Sequence, residues 1–389
     1  MNILMICFNR TGHGTYYRAY EFARELIQFN YSVTLMTAAA TRRRGITEWM
    51  ESGIKIVEFP AYFSGGARWG WDPVTITTRL RWLKDKRFDV VHGFESRPTV
   101  IYPAWHLKKK GVPLVLDWSD WFGRGGSVEQ RSNLLLRTSL RPFETYFENH
   151  FRSKVDASTV ICSTLFQRAV SLGINKSKVN LILNGFNIPS WKEISRSKAR
   201  DRFNYQEDDF VIGYVGSLFK VDAKLTGEAF FEVINKLPKA KLLHLGFSSH
   251  QIYQSNFECK ALTITGKIDE NTLSAGLSAC DVCWLPLSDI PANWGRFPLK
   301  FSTYLTAGKP IIVTEVGDLP DIVKKNQVGF TCAPNAKKLA EATLKLEKDL
   351  DSRLLFAKSA KKLSQSPNNS WKARAECLLK IYDEVGYSQ

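Results

Sequence analysis

Short apolar runs alternate with amphipathic stretches from one end of this chain to the other, and that alternation is what limits its fold. Asn2 to Phe8 reads as a buried strand, followed by a loop containing Gly12 and Gly14. The spacing predicts a helix from Thr15 to about Gln28, with Tyr16, Tyr20, Ala23 and Ile27 beside Ala19, Phe22 and Leu26. Such a wide apolar stripe suits packing on a sheet. Further strands are expected at Ser32–Thr37, Lys55–Phe59, Val90–His92, Leu114–Asp117, Thr159–Ser163 and Asn180–Leu183. Strands separated by helices of roughly ten or more residues imply a parallel sheet covered on both faces.

The alternation pauses from Pro189 to about Asp209, a polar stretch of mixed charge that reads as a linker. A second series follows, with strands at Phe210–Val215, Lys241–Leu245, Leu262–Thr265, Val282–Pro286 and Ile311–Thr314. Helices are expected at Glu228–Leu237, Thr272–Ala279 and Leu299–Thr306. The expected architecture is α/β, two doubly wound, Rossmann-like domains over 1–190 and 210–366, with a linker at 191–209. Ligands of such sheets sit at the carboxyl ends of the strands, so two facing domains place a site in the cleft between them.

Composition narrows the partners. No run approaches the ~20 apolar residues needed to cross a bilayer, and the start lacks the basic leader of a secretory signal. Seven cysteines scattered over 389 residues argue for a reducing compartment. The expectation is a cytoplasmic protein. Residues 1–190 hold 26 basic and 15 acidic side chains, against 28 and 23 in the remainder, so the overall +16 is concentrated in the first half. An anionic membrane surface or a phosphorylated substrate fits that excess. No helix-turn-helix, zinc-finger or aromatic RNA-binding motif is present, so nucleic acid is not expected as a partner.

Three segments carry chemistry. Gly12-His13-Gly14 follows the first strand and opens a helix, a place where a phosphate is favoured. Tyr17 occupies the position where the dinucleotide fingerprint wants a third small residue, and no acid ends the second strand, so a dehydrogenase is disfavoured. The competing reading is a tight turn. Asp117-Trp118-Ser119-Asp120-Trp121-Phe122-Gly123-Arg124-Gly125-Gly126 ends another strand, and its carboxylates must be solvated, paired or bound to substrate. Its aromatics suit a sugar or an acceptor groove; alternatively an aspartate caps a turn and the tryptophans are core. The third segment, Pro291 to Pro310, places Arg296 just before a helix and Lys300 in its first turn, with Pro298 at the first position. Cations are misplaced at a helix start unless an anion such as a diphosphate joins them. Cys280 and Cys283 read as packing rather than a metal site, since the second falls inside a predicted buried strand and no second Cys/His pair accompanies them. His13 and His92 read as structural.

The third segment resembles the nucleotide-binding helix of retaining GT-B glycosyltransferases of family 4, also termed glycosyl transferases group 1. The similarity spans nearly the whole chain. It takes in Asp89-Val90-Val91-His92, Asn184-Gly185-Phe186-Asn187, Gly213-Tyr214-Val215-Gly216-Ser217, Thr265-Gly266-Lys267-Ile268, Cys280 to Pro286 and Gly317 to Val323. Trp371 to Val385 is similar to the last helix, so residues 367–389 are expected to cross back onto the first domain.

The resemblance implies transfer of a sugar from a nucleotide-diphosphate donor to an acceptor hydroxyl, with retention, by front-face attack and without a metal or other cofactor. Gly12, Gly14, Gly216 and Ser217 would approach the donor; Lys220 with Arg296 or Lys300 would neutralise its phosphates. Lys267 and Ile268 would edge the base, and Asn293, Pro298 and Thr303 complete the implied donor set. Asp120, or Asp117, would orient the acceptor hydroxyl, with Arg296 and Lys300 stabilising the leaving group. Arg68 and Trp69, within the loop Tyr62–Trp71, and Trp118, Ser119, Trp121 and Arg124 would meet a glycan, lipid-linked or polysaccharide acceptor, with loose contact to the inner membrane face. The family's paired glutamates fall at Gly295 and Thr303, and its acceptor-side histidine at Ser119. The alternatives are a nucleotide-sugar epimerase or phosphorylase of similar architecture, or a catalytically silent scaffold.

Overall fold

The computed structural model describes residues 1–41, 45–63, 68–186, 194–248 and 261–387, without the side chains of Arg68, Trp69 and Tyr387. The basic triplet at 42–44 and the middle of the loop 62–71 therefore lie outside the described residues. The chain forms two units, Met1–Gly185 with Trp371–Gln389, and Phe186–Ser370. Among the described residues no helix is long and apolar enough to cross a membrane.

Unit 1 is built on β1 (Asn2–Arg10), β2 (Ser32–Ala38), β3 (Thr47–Glu51), β4 (Ile54–Phe59), β5 (Val90–Phe94), β6 (Leu114–Trp118), β7 (Ala157–Val160) and β8 (Val179–Leu181). They hydrogen-bond in the order β3-β4-β2-β1-β5-β6-β7-β8, all parallel except the β3–β4 hairpin. Met5 pairs with Leu35 on one side and with His92 on the other. Ile3 to Phe8 are buried without alternation because helices cover both faces, as expected for an inner parallel strand. Leu4, Ile6, Phe59, Val91, Ile101 and Leu116 belong to one core.

Unit 2 carries β9 (Phe210–Val215), β10 (Ala240–Leu245), β11 (Leu262–Ile264), β12 (Val282–Leu285), β13 (Ile311–Thr314) and β14 (Gly329–Cys332), in the order β11-β10-β9-β12-β13-β14 and wholly parallel. Ile212, Phe230, Trp284 and Ile312 anchor its core, and the Trp284 indole donates to Thr343 Oγ1 at 3.0 Å. In each sheet the connections reverse direction beside the first strand of the unit, at β1/β5 and at β9/β12. A doubly wound sheet leaves its ligand crevice at such a reversal, outside the carboxyl ends.

Several expectations are corrected. Part of the supposed linker is the helix Arg196–Arg202, which belongs to unit 2. Its buried side is charged: Arg200 donates to the carbonyls of Gln206 and Glu207 and to Asp281 Oδ2 at 2.7–2.8 Å. The helix expected from Glu228 begins at Lys220 and runs to Ile234, and β7 ends at Val160 so that a helix can start at Ser163. The helix Trp371–Tyr387 packs on unit 1, with the Trp371 ring edge-on to Phe22 at 5.2 Å. Tyr382 Oη lies 2.7 Å from Nδ1 of His92, a buried ring pushed down to about 4 by desolvation and so held neutral.

Candidate functional site

In unit 2 the expected cations meet at the carboxyl end of β9. The helix Lys300–Thr306 begins with Lys300 itself, behind the N-cap Leu299. Pro298 stands two residues before the first helical residue rather than at it, its carbonyl accepting the Phe301 N–H at 3.1 Å. Lys300 turns back over the Tyr214 ring, with Nζ 3.9 Å from the centroid; the ammonium donates to Tyr214 Oη and to the Ser217 carbonyl. Among the described residues no carboxylate ion-pairs with it. Burial pushes this lysine down to about 7, Arg296 adds to the effect and Asp222 opposes it. A lysine so placed gains most from an arriving anion, which restores the charge that desolvation disfavours.

Arg296 lies with its guanidinium 3.6 Å from the Phe219 ring centroid and donates to Asn293 Oδ1 at 3.2 Å. Asn293 in turn donates to Asp222 Oδ1 at 2.9 Å and to the Ser288 carbonyl. Asn293 is 0% exposed, so the expectation that it touches a donor is corrected: it positions Arg296. Asp222, missed in the sequence, is the buried anchor of this network and also receives the Ser288 N–H. Its only signal was an acid in the first turn of a helix.

Gly216 follows β9 at φ +86°, a conformation glycine adopts without strain. A Cβ there would lie 3.8 Å from Lys300 Nζ, so the bare backbone keeps the space beside the ammonium open. His244 Nε2 donates to the Gly216 carbonyl at 2.7 Å and, pushed down to about 4 by burial, is neutral. Ser217, Lys220 and Lys267 are exposed at the same strand ends, with Ile268 partly so. Thr303 spends its hydroxyl on the Leu299 carbonyl at 3.5 Å. The thiols of Cys280 and Cys283 are buried, and Cys280 donates to the Gly276 carbonyl.

Unit 1 brings together a different set. Gly14 takes φ +57°, and a Cβ on it would fall 2.7 Å from Asn9 Nδ2. Asn9 Oδ1 accepts from the Thr15 N–H and hydroxyl, which fixes the turn and leaves Gly12 partly exposed and Gly14 exposed. Asp117 and Trp118 correct the expectation of an open acceptor groove, since both are 0% exposed. Asp117 accepts from Arg18, Thr159 and Ser119; burial opposes its charge, but Arg18 above all, with Thr159, holds its carboxyl below the usual range. Trp118 lies under Arg152, whose guanidinium is 4.2 Å from the ring centroid. Both are framework.

The neighbouring loop is held by a residue the sequence reading missed. Glu95, at the end of β5, takes φ +72°, which costs a non-glycine side chain energy unless its surroundings enforce it. Its Oε1 accepts from the Ser119 N–H (2.6 Å), the Ser119 hydroxyl (3.0 Å) and the Asp120 N–H (3.2 Å), and its Oε2 from Arg152 (3.0 Å). Burial pushes this carboxyl up to about 8, with Arg152 opposing. Glu95 thereby fixes Ser119 and presents Asp120, which is partly exposed, at the end of β6. Trp121 is stacked under Arg168 at 4.0 Å and stays partly exposed, and Arg124 is exposed. The side chains of Arg68 and Trp69 lie outside the described residues.

Comparison with known proteins accounts for both units. A model described as Glycosyltransferase Family 4 matches residues 13–188, and one described as Glycosyl transferases group 1 matches residues 209–349. Sucrose-phosphate synthase from Thermosynechococcus elongatus superposes with a TM-score of 0.78, at 16% identity, over 100% of both chains. The chain belongs to the GT-B glycosyltransferases. WaaG, a glycosyltransferase involved in lipopolysaccharide biosynthesis, is similar to this glycosyltransferase with a TM-score of 0.72 and 15% identity, covering 98% of this chain and 99% of its own. Anabaena HepE, solved with UDP and glucose, gives 0.71 and 13% over 99% and 100%. An uncharacterized 41.2 kDa protein in the cps region of Klebsiella pneumoniae is 21% identical over 266 residues, 64% of this chain and 67% of that one.

Proposed function

We propose that this GT-B protein moves a sugar from a nucleoside-diphosphate donor, bound at the carboxyl ends of β9 to β12, to a hydroxyl of a glycan or lipid-linked acceptor met by unit 1. The observation that carries the reading is Lys300, half-buried beside Arg296 with no carboxylate paired to it among the described residues. Arg296, Lys300 and the exposed Lys220 would offset the charge that grows on the departing diphosphate, by preorganised electrostatics rather than a metal. Asp120, fixed through Glu95, would orient the acceptor hydroxyl. Retention of configuration follows if the departing phosphate takes the proton on the face that the acceptor attacks.

HepE was solved with UDP and glucose, which makes UDP-glucose the first donor to try. WaaG acts in lipopolysaccharide biosynthesis, and the basic first half of this chain supports a lipid-linked or polysaccharide acceptor at an anionic membrane surface. A panel of nucleotide sugars with glycan acceptors tests the proposal. Arg296→Ala with Lys300→Ala should abolish transfer by the full chain, and near-normal turnover would defeat it. Unchanged transfer in EDTA supports the metal-independent part, and product anomers read by NMR decide retention. Donor turnover without any acceptor would point instead to an epimerase or phosphorylase.

A further inference from the structure

Phe247 follows β10 with its ring 69% exposed, yet the backbone that carries it is tied on both sides. Toward β9, His244 Nε2 donates to the Gly216 carbonyl at 2.7 Å, and a Cβ on Gly246 would fall 3.1 Å from that oxygen, so the two strand ends are in close contact. Toward β11, the Gly246 N–H donates to Thr265 Oγ1 and the Thr265 N–H to the His244 carbonyl, each at 3.1 Å. A phenyl ring facing water gains nothing from such fixing. A flat partner laid on it gains affinity, because the platform is ordered before binding.

The place of the ring along the sheet says what that partner is. The strands run β11-β10-β9-β12, with Lys300 and Arg296 over Tyr214 and Phe219 at the end of β9 and the turn Gly266-Lys267-Ile268 leaving β11. Neighbouring strands lie about 4.8 Å apart, so the ring stands one strand from the cations, and that turn two strands or about 10 Å. The ribose and phosphates of a nucleotide bridge an interval of this size. With its diphosphate on Lys300 and Arg296, a nucleotide running toward β11 lays its base over β10. We propose that Phe247 is the face on which the donor's nucleobase stacks. Stacking uses the π-face that every base has, so Phe247 distinguishes a nucleotide from bare pyrophosphate without selecting among bases.

The proposal rests on the donor site of the proposed function and adds the residue that holds its base end. Calorimetry on the full chain tests it, with UDP, GDP, ADP and dTDP as probes beside inorganic pyrophosphate. Phe247→Ala should weaken the tightest nucleotide by about tenfold, as expected for one stacked base, and leave pyrophosphate affinity and the circular dichroism spectrum unchanged. Phe247→Trp should restore binding, with an indole emission that the nucleotide quenches and pyrophosphate does not. Equal nucleotide affinity in Phe247→Ala overturns the stacking role and leaves the donor site standing. Parallel loss of nucleotide and pyrophosphate overturns it too, since the ring would then merely shape the strand end. Weaker binding of UDP-glucose with unchanged UDP would give the ring to the transferred sugar instead. Failure of the unaltered chain to bind any of these nucleotides overturns both readings.

Discussion

Lys300 sets the pH behaviour of the candidate donor site. An ammonium pushed down to about 7 is largely neutral at pH 8, and a bound diphosphate raises it again. Binding of UDP at pH 8 should therefore take up a proton, seen in calorimetry as a dependence of heat on buffer ionisation, and affinity should fall as pH rises above about 7. Lys300→Met should remove the proton uptake and weaken binding by about 1.5–3 kcal/mol, the range for a hydrogen bond to a charged group. Absence of proton uptake in the unaltered protein would mean that Lys300 does not meet the phosphates. Gly14 makes a separate prediction. A β-carbon forced to φ +57° and against Asn9 must displace that side chain, so Gly14→Val should lower Tm and loosen the turn that Asn9 and Thr15 hold. Strain and overpacking of this kind cost about 1–3 kcal/mol each.

At the scale of elements, the loop after β6 depends on Glu95. Glu95→Gln keeps one acceptor for the Ser119 and Asp120 N–H groups but turns an amide toward Arg152, leaving a buried guanidinium without its carboxylate. Breaking a buried pair costs about 3–5 kcal/mol, so above about pH 8, where the Glu95 carboxyl is ionised, the variant should melt well below the parent, and hydrogen exchange should quicken at Ser119 and Asp120. Unaltered exchange there would refute the positioning role. Nothing in the neighbourhood of Glu95 announces this role, because its partners Ser119 and Arg152 lie 24 and 57 residues away. The inner strands were legible, since β1 and β12 carry continuous apolar runs and β6 opens on Leu114-Val115-Leu116. The edge strands β3 and β14 were not: Thr47–Glu51 is mostly exposed and polar, and Gly329–Cys332 is only partly buried. The helix Arg196–Arg202 was hidden because its buried residues are Ala199 and Arg200, with no large apolar side chain to mark a stripe. Trp118, flanked by Asp117 and Ser119, was expected in an acceptor groove, and the family resemblance implied Asn293 as a donor contact, yet long-range partners bury both. Lys300 and Arg296 were legible because two cations at a helix start break a local electrostatic rule.

For the whole molecule, the two units differ in how they close. Unit 2 is one continuous segment, whereas unit 1 is completed by Trp371–Gln389. Removing everything from residue 371 onward should strip Trp371 from Phe22 and Tyr382 from His92. Losing a buried tryptophan alone costs about 3–5 kcal/mol, so amide protection in β1 and β5 should collapse while that in β9 and β12 persists. Equal loss in both sheets would show that the units do not fold independently. The order of synthesis gives this closure a further meaning. A chain made from its amino terminus exposes β1 to β8 first, yet they must wait through the translation of all of unit 2 for their last helix to leave the ribosome. Through that interval the nascent sheet keeps a bare apolar patch around Phe22, the place where a chaperone would find its hold.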